Sequence, residues 1–153
     1  MVGKYNVSMG IVAFIVGVAV AVYATIKNNG LPESVSEIAY IIPHWAFTVW
    51  IAAIGFLVMP GMMDSINENW QWIGFLSVAG LMCVAASAYY KTESKILHYI
   101  GGCLCALCAT VATAIIEPYL LLGWIVYPTV VFTKSWLFWG EVVVFTLLLI
   151  AIN

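Results

Sequence analysis

The sequence predicts an all-α fold, a polytopic bundle of six transmembrane helices in a single integral membrane domain. Of the 153 residues, 65% are hydrophobic and only 8% are charged, whereas about a quarter of the residues in soluble domains are charged. The mean hydropathy of +1.08 is too high for a water-soluble surface. At about 20 residues per crossing, this length allows five or six helices and little else. Five lysines, no arginine and a net charge of -2 exclude nucleic acid as a partner.

Charged and turn-forming residues divide the apolar sequence into its expected helices. These helices cover approximately residues 8–26, 41–59, 70–90, 96–116, 119–133 and 136–152. The first ends at Lys27, the second stops at Pro60, the third ends before Lys91 and the fourth closes at Glu117. Tyrosine and tryptophan residues near several of these ends suit the headgroup region of a bilayer.

The stretch over 119–133 is the least regular of the six. It is only about 15 residues long and contains Pro128, which disrupts a continuous α-helix. We interpret it as a short or kinked fifth helix. The alternative is five transmembrane helices, with 119–133 forming a re-entrant or interfacial segment.

The distribution of the lysines between the loops predicts how the protein is oriented in the membrane. In a six-helix topology, Lys4 lies on one side of the membrane, and the opposite side carries Lys27, Lys91, Lys95 and Lys134. The positive-inside rule then places the lysine-rich loops in the cytoplasm and both termini outside, in a multi-pass protein of the bacterial inner membrane. The first helix also resembles a signal peptide, but its apolar run is longer than the usual 7–15 residues, which favours an uncleaved helix.

Two expected helices have small residues at every fourth position, a spacing that allows close packing between membrane helices. The first carries Ala13, Gly17, Ala21 and Thr25, and the fourth carries Gly101, Cys105, Ala109 and Thr113. We expect tight seams at both faces, and a Gly17→Leu substitution should then disrupt folding. The same faces can join a second copy or another membrane protein.

Three of the four cysteines lie in the fourth helix. Cys103, Cys105 and Cys108 include one C-x-x-C spacing, which occurs in metal and redox sites. This spacing lies inside an apolar helix with no second cysteine pair nearby. We therefore expect these cysteines to pack as small hydrophobic residues.

Polar residues within apolar helices are energetically expensive and mark candidate sites. Helix parity places Glu37, His44, His98 and Glu141 at the same membrane face, together with Glu33. We expect the first four to form a polar pocket in which His98 or His44 acts as a general base. Glu37 or Glu141 would orient that base or hold a metal. The sequence leaves open whether a metal or other cofactor is bound. Ser34 and Glu37 also fit a helix capping box.

The segment from Pro32 to Ile38 has the form Pro-x-Ser-x-Ser-Glu-Ile. Together with His98 at the start of the fourth helix, it resembles the DRAM and FGF-receptor-activating-protein group of six-helix membrane proteins, which includes a bacterial family of unknown function. This chain has Val35 where isoleucine is usual and Ala39-Tyr40 where a glycine is common. The resemblance covers most of the chain, implies a six-helix membrane fold and marks Ser36, Glu37 and His98. Eukaryotic members are linked to lipid-anchor remodelling and lysosomal biology.

The leading functional hypothesis is a pocket that binds or processes a lipid headgroup or a small polar ligand, with hydrolysis or acyl transfer as its chemistry. Membrane lipids are then the expected partners. One alternative is a small transporter or channel in which Pro43 and Pro128 break helices and Glu141 is the coupling carboxylate. Another is a non-enzymatic assembly partner of a second membrane protein.

Overall fold

The computed structural model describes residues 3–92 and 94–153, and every regular element in them is helical. The five α-helices are α1 (Gly3–Lys27), α2 (His44–Ser65), α3 (Gln71–Ala86), α4 (Lys95–Ile116) and α5 (Trp136–Ala151). Three 3-10 helices cover Val35–Tyr40, Glu68–Trp70 and Pro118–Thr129. These elements confirm the all-α helical bundle.

Four helical segments of the described chain are long and apolar enough to cross a bilayer: Met9–Lys27, His44–Ser65, Glu68–Ala86 and Lys95–Ile116. A helix of 22 residues such as α2 or α4 is about 33 Å long, which matches a hydrocarbon core of about 30 Å. The fifth, α5, is apolar but has only 16 residues. By length and composition, the chain is a helical membrane protein.

Residues Pro118–Thr129 form a 3-10 helix, and the α-helix expected over 119–133 is absent from this part of the structure. Pro128 lacks an amide hydrogen, and its ring disfavours an α-helical turn before it. The segment lies along α5, with Gly123 beside Leu147 and Gly140 beside the Tyr127 ring.

This 3-10 helix runs antiparallel to α5, since Gly123 lies beside Leu147 and Tyr127 lies beside Gly140. At about 2 Å per residue, its 12 residues cover about 24 Å, and they lead from the far end of α4 back to Ser135, whose hydroxyl donates to the Leu31 carbonyl at 3.5 Å. Within the described residues, the chain passes along the bundle six times, five times as α-helix. The number of bilayer crossings stays a prediction.

Two predicted helix ends are wrong. Helix α2 continues through Pro60 to Ser65, because its last turns are held by packing: Met62 is buried, and a Cβ added at Gly61 would lie 3.1 Å from Ile152. Membrane helices tolerate proline where neighbouring helices and side chains compensate the lost backbone bond. Helix α3 ends at Ala86 and not at residue 90, so that residues 87–92 form turns.

Helices α3 and α4 pack with their backbones in direct contact. A Cβ added at Gly80 would lie 2.6 Å from the Gly101 carbonyl oxygen, and one added at Gly101 would lie 2.6 Å from the Cys83 Cβ. Cys105, Ala109 and the other residues of the predicted α4 face are buried. The predicted small-residue seam of α4 is therefore confirmed, with α3 as its partner.

The corresponding seam of α1 is only partly formed. Ala13 and Ala24 are buried, but a Cβ added at Gly17 would meet nothing within 4 Å. Gly17 instead borders an apolar cavity of about 130 Å³ whose wall includes Trp50 and Phe145. A Cβ at position 17 would therefore not clash, so the steric reason for expecting Gly17→Leu to disrupt folding is not found here.

Candidate functional site

The predicted site residues lie towards one end of the bundle, formed by residues 28–43, 87–92 and 133–138, which we call the polar end. The loop after α1 is joined there to the start of α5, because the Phe138 backbone amide donates to the Glu33 carbonyl oxygen at 3.0 Å. Ser36 of the same loop contacts His98 of α4. Three distant segments of sequence thus meet as helix parity predicts.

His98 lies at the centre of this end and is only 4% exposed. Its Nε2 atom is 2.8 Å from the Ser36 hydroxyl oxygen. Its Nδ1 atom is 3.1 Å from the Ser87 carbonyl oxygen and 3.2 Å from the Ser87 hydroxyl oxygen. The Tyr90 ring stacks on the imidazole with centroids 4.1 Å apart. These contacts fix both the position and the plane of the ring.

The partners of His98 also determine which nitrogen carries the proton. The Ser87 hydroxyl donates to the Cys83 carbonyl, so it can only accept from His98, and the Ser87 carbonyl is an acceptor in any case. Nδ1 therefore carries the hydrogen and donates to Ser87. In neutral His98, Nε2 then has a lone pair, and the Ser36 hydroxyl donates to it.

Glu141 enters the same region from the second turn of α5. Its Oε2 atom accepts a hydrogen bond from the Val35 backbone amide at 2.6 Å. Val35 and Ser36 are adjacent, so the 3-10 helix Val35–Tyr40 bridges Glu141 on one side and His98 on the other. The two predicted site residues are brought to one cavity, each through its own contact with this helix.

Glu37 is part of an ion pair at the surface. Its Oε1 atom lies 2.6 Å from the Lys91 Nζ, and its Oε2 accepts from the Glu33 amide at 3.0 Å. Burial raises the pKa of Glu37, but the hydrogen bonds from Lys91 and Glu33 outweigh burial and hold this pKa below its ordinary value of 4.5. The bond to Glu37 raises the pKa of Lys91. Glu37 therefore carries a negative charge near neutral pH and holds Lys91 at the site.

The capping role predicted for Ser34 is confirmed. The Ser34 hydroxyl oxygen accepts from the Glu37 amide at 3.2 Å and caps the 3-10 helix. In a complete capping box, the Glu37 carboxylate would accept from the Ser34 amide. Here it accepts from the Glu33 amide, which leaves its other oxygen for Lys91.

His44 lies at the polar end but in a different cavity from His98. Its ring stacks on Tyr89 with centroids 3.7 Å apart and meets the Tyr40 ring edge-on. Its Nδ1 atom is buried without a hydrogen-bond partner in the described part of the chain. The cavity beside it is lined by Pro43, Thr48 and Ala88 and does not include His98 or Glu141. The structure therefore separates His44 from the other three predicted site residues.

Two adjacent cavities lie between the surface of the polar end and His98. The inner cavity, of about 260 Å³, is lined by Ser36, His98 and Glu141 at its polar side and mainly by apolar side chains elsewhere. The outer cleft, of about 390 Å³, is lined by Glu33, Glu37, Lys91, Lys95 and Lys134 among others. The two spaces share the lining residues Ser34, Tyr90, Tyr99 and Leu137. A charged cleft thus adjoins a mostly apolar cavity.

The residues present do not form a metal centre in the described structure. No group of three or more histidine, cysteine or acidic side chains is arranged there to hold an ion. Both ring nitrogens of His98 are hydrogen-bonded. Cys105 is buried beside the Ser77 hydroxyl, whereas Cys103 is exposed. All four cysteines are free thiols.

Two residues of this site, Ser87 and Tyr90, were not predicted from the sequence. Both lie within the third helix that the sequence predicts over 70–90. The Ser87 amide donates to the Cys83 and Val84 carbonyls where α3 ends, and this early end turns Ser87 and Tyr90 towards His98. A serine followed by aromatic residues before Lys91 is the local signal for such an end, although it is weak in an apolar sequence.

Comparison of the chain with protein-family models, with curated proteins and with solved structures finds no match. The resemblance to the DRAM and FGF-receptor-activating-protein group therefore rests on Ser36, Glu37 and His98 alone. These three residues lie together at the polar end, where Ser36 contacts His98 directly.

Proposed function

We propose that this protein binds an amphiphilic phospholipid at its polar end, with the headgroup in the outer cleft and part of an acyl chain in the inner cavity. The observation that carries this proposal is that a lysine-lined cleft adjoins a mainly apolar cavity, with four lining residues in common. Ligand sites are typically apolar spaces with a few converging polar groups. We place the protein in a bacterial inner membrane with this end facing the cytoplasm, as the lysine distribution predicts.

The charges of the outer cleft favour an anionic headgroup. Three lysines and two glutamates line it, which leaves one excess positive charge. Glu37 pairs with Lys91 at 2.6 Å and Glu33 pairs loosely with Lys134 at 3.6 Å. The Lys134 side chain is 88% exposed and is free to turn towards a phosphate. Lysines at the cytoplasmic surface contribute about 1 kcal/mol each to the binding of anionic lipid.

The inner cavity suits the start of an acyl chain and its ester linkage. Phe47, Leu81 and Phe145 supply apolar wall, whereas Ser36 and His98 supply polar atoms at one side. An ester group lying between headgroup and chain would meet these polar atoms. Placing a hydrocarbon chain against the apolar wall removes apolar surface from water at the mouth of the site.

Retention of lipid by the purified protein tests this proposal. The full chain, solubilised in mild detergent, is exposed to phosphatidylglycerol or phosphatidylcholine and examined by native mass spectrometry. We expect preferential retention of phosphatidylglycerol and a loss of about tenfold in affinity in a Lys95→Glu/Lys134→Glu variant. Lys27→Glu is the matched control, because Lys27 lies at the same end of the bundle but does not line the cleft. Equal losses in both variants, or no retained lipid, would contradict the proposal.

A further inference from the structure

We propose that Ser36 is an acyl-accepting nucleophile and that His98 is its general base, so that the bound lipid ester is cleaved at the inner cavity. This inference rests on the proposed function, because the substrate is the ester linkage of the lipid held there. Ser36 and His98 both line the cavity. A lipid ester combines an acyl chain that suits the apolar wall with a carbonyl group that a serine can attack.

The Ser36 hydroxyl and the His98 ring lie within the distance that a nucleophile and its general base require. The Ser36 oxygen is 2.8 Å from the His98 Nε2, within the range of about 2.6–3.2 Å that proton transfer requires. The hydrogen bonds at Nδ1 leave the lone pair on Nε2, so the Ser36 proton already points towards the base.

A third group orients the base, as in other serine nucleophile systems. The Ser87 carbonyl accepts from Nδ1 at 3.1 Å, and Tyr90 stacks on the ring. A carbonyl stabilises the imidazolium that forms less than a carboxylate does. We therefore expect a slow acyl transfer enzyme.

Ser36 differs from the other buried serines in the described residues. Ser87 donates to the Cys83 carbonyl, and Ser77 and Ser135 donate to the carbonyls of Cys105 and Leu31. Ser34 caps a helix by accepting from the Glu37 amide. Ser36 alone among these buried serines donates its hydroxyl hydrogen to an imidazole lone pair, which is the arrangement that activates it.

The reaction needs only the lipid ester and water. The Ser36 oxygen attacks the ester carbonyl carbon while its proton passes to His98 Nε2, and a tetrahedral intermediate forms. When this collapses, the bond to the glycerol oxygen breaks, that oxygen takes the proton from His98, and an acyl-Ser36 ester remains. Water, or a second alcohol, then attacks the acyl-Ser36 carbonyl with His98 again as the base. This releases the fatty acid, or a new ester, and restores Ser36.

A long-chain alkyl fluorophosphonate, which phosphonylates activated serines with loss of fluoride, tests this inference on the detergent-solubilised full chain. We expect the intact mass to rise by one adduct and peptide mass spectra of the wild-type protein to place the adduct on Ser36. Ser36→Ala should abolish labelling. His98→Gln, which can still accept from Ser36 but cannot take its proton, should slow labelling by at least about 100-fold. Ser77→Ala, a buried serine outside the cavity lining, should label at the wild-type rate.

Lipid retention separates this inference from the proposed function. A wild-type protein that retains lipid but is not labelled, or is labelled elsewhere than Ser36, overturns the inference and leaves the proposed function intact. Wild-type labelling rates in a folded His98→Gln variant, with an unchanged thermal midpoint, overturn the role of His98. A protein that neither retains lipid nor is labelled overturns both proposals.

Discussion

The Val35 backbone amide donates to the Glu141 carboxylate at 2.6 Å, a hydrogen bond that joins residues 106 positions apart. It fastens the loop after α1 to the second turn of α5. The neighbouring residue, Ser36, makes the contact to His98 on α4. Glu141 therefore positions the short helix that presents Ser36, and this explains why a carboxylate lies within an apolar helix.

Removing the acceptor at position 141 should destabilise the protein. Glu141→Ala leaves the Val35 amide without its partner, and a donor that is left unsatisfied inside a protein costs about 1–3 kcal/mol. Glu141→Gln keeps a side-chain carbonyl oxygen that can accept the same bond, so its loss should be clearly smaller. Thermal unfolding in detergent, followed by tryptophan fluorescence, measures both. Equal destabilisation by the two variants would show that the Val35 bond contributes little.

The ion pair between Glu37 and Lys91 should make stability depend on pH at both extremes. The pKa of Glu37 is lowered in the folded protein, so the stability it contributes is present above its unfolded value of 4.5 and is lost as the pH falls through the folded value. The pKa of Lys91 is raised, so its contribution is present below its unfolded value of 10.5 and is lost as the pH rises through the folded value.

The size of this effect is small because the Lys91 side chain is 50% exposed. Exposed pairs contribute about 0.2–1 kcal/mol, or a few degrees at most in the thermal midpoint. We expect wild type to exceed Glu37→Gln by this margin at pH 7 and the difference to shrink as the pH falls below 4.5. High salt at pH 7 should also reduce it. A difference that persists at low pH would contradict a role for the charge.

Two glycines, Gly80 in the contact between α3 and α4 and Gly17 on the predicted face of α1, should respond oppositely to substitution. Gly80→Ala places a methyl group 2.6 Å from the Gly101 carbonyl oxygen, where backbone must move, and overpacking of this kind costs about 1–3 kcal/mol. Gly17→Ala meets nothing within 4 Å and should be neutral or stabilising, because alanine favours helix more than glycine does. Thermal midpoints in detergent compare the two. An equal loss of stability in Gly17→Ala and Gly80→Ala would contradict this expectation and would indicate that another surface packs against α1 at Gly17.

Hydropathy and helix parity predict the helical class and the end of the bundle to which Glu37, His98 and Glu141 belong. They do not predict on which side of a helix bundle each residue lies, because that depends on how each helix is rotated by packing. His44 and His98 both open helices at the polar end, yet His44 stacks on Tyr89 and His98 on Tyr90. Tyr89 and Tyr90 are adjacent in sequence but line different cavities, and each histidine lines the cavity of the tyrosine on which it stacks.

Local backbone chemistry explains the remaining differences. Pro60 and Pro128 have the same effect on a helix in isolation, but buried Met62 holds α2 together beyond Pro60, whereas residues around Pro128 adopt a 3-10 helix. The end of α3 at Ala86 depends on Ser87, whose hydroxyl bonds to the Cys83 carbonyl. Such outcomes are decided by tertiary contacts between residues far apart in sequence, which a single sequence does not display.

Filling the inner cavity should prevent lipid binding without unfolding the protein. Ala106 lines this cavity, and Ala106→Phe adds a ring that occupies space we assign to the acyl chain. We expect phosphatidylglycerol retention and fluorophosphonate labelling of Ser36 to fall together by tenfold or more.

The control is Leu107→Phe at the next position of α4, where the side chain is 67% exposed on the outer face of the helix. Because the two variants add a ring to the same helical turn, a similar effect in both would indicate a disturbed helix and contradict the assignment of the cavity to lipid. If only Ala106→Phe loses lipid retention and labelling, and the thermal midpoints are unchanged, lipid binding and the reaction at Ser36 use the same cavity.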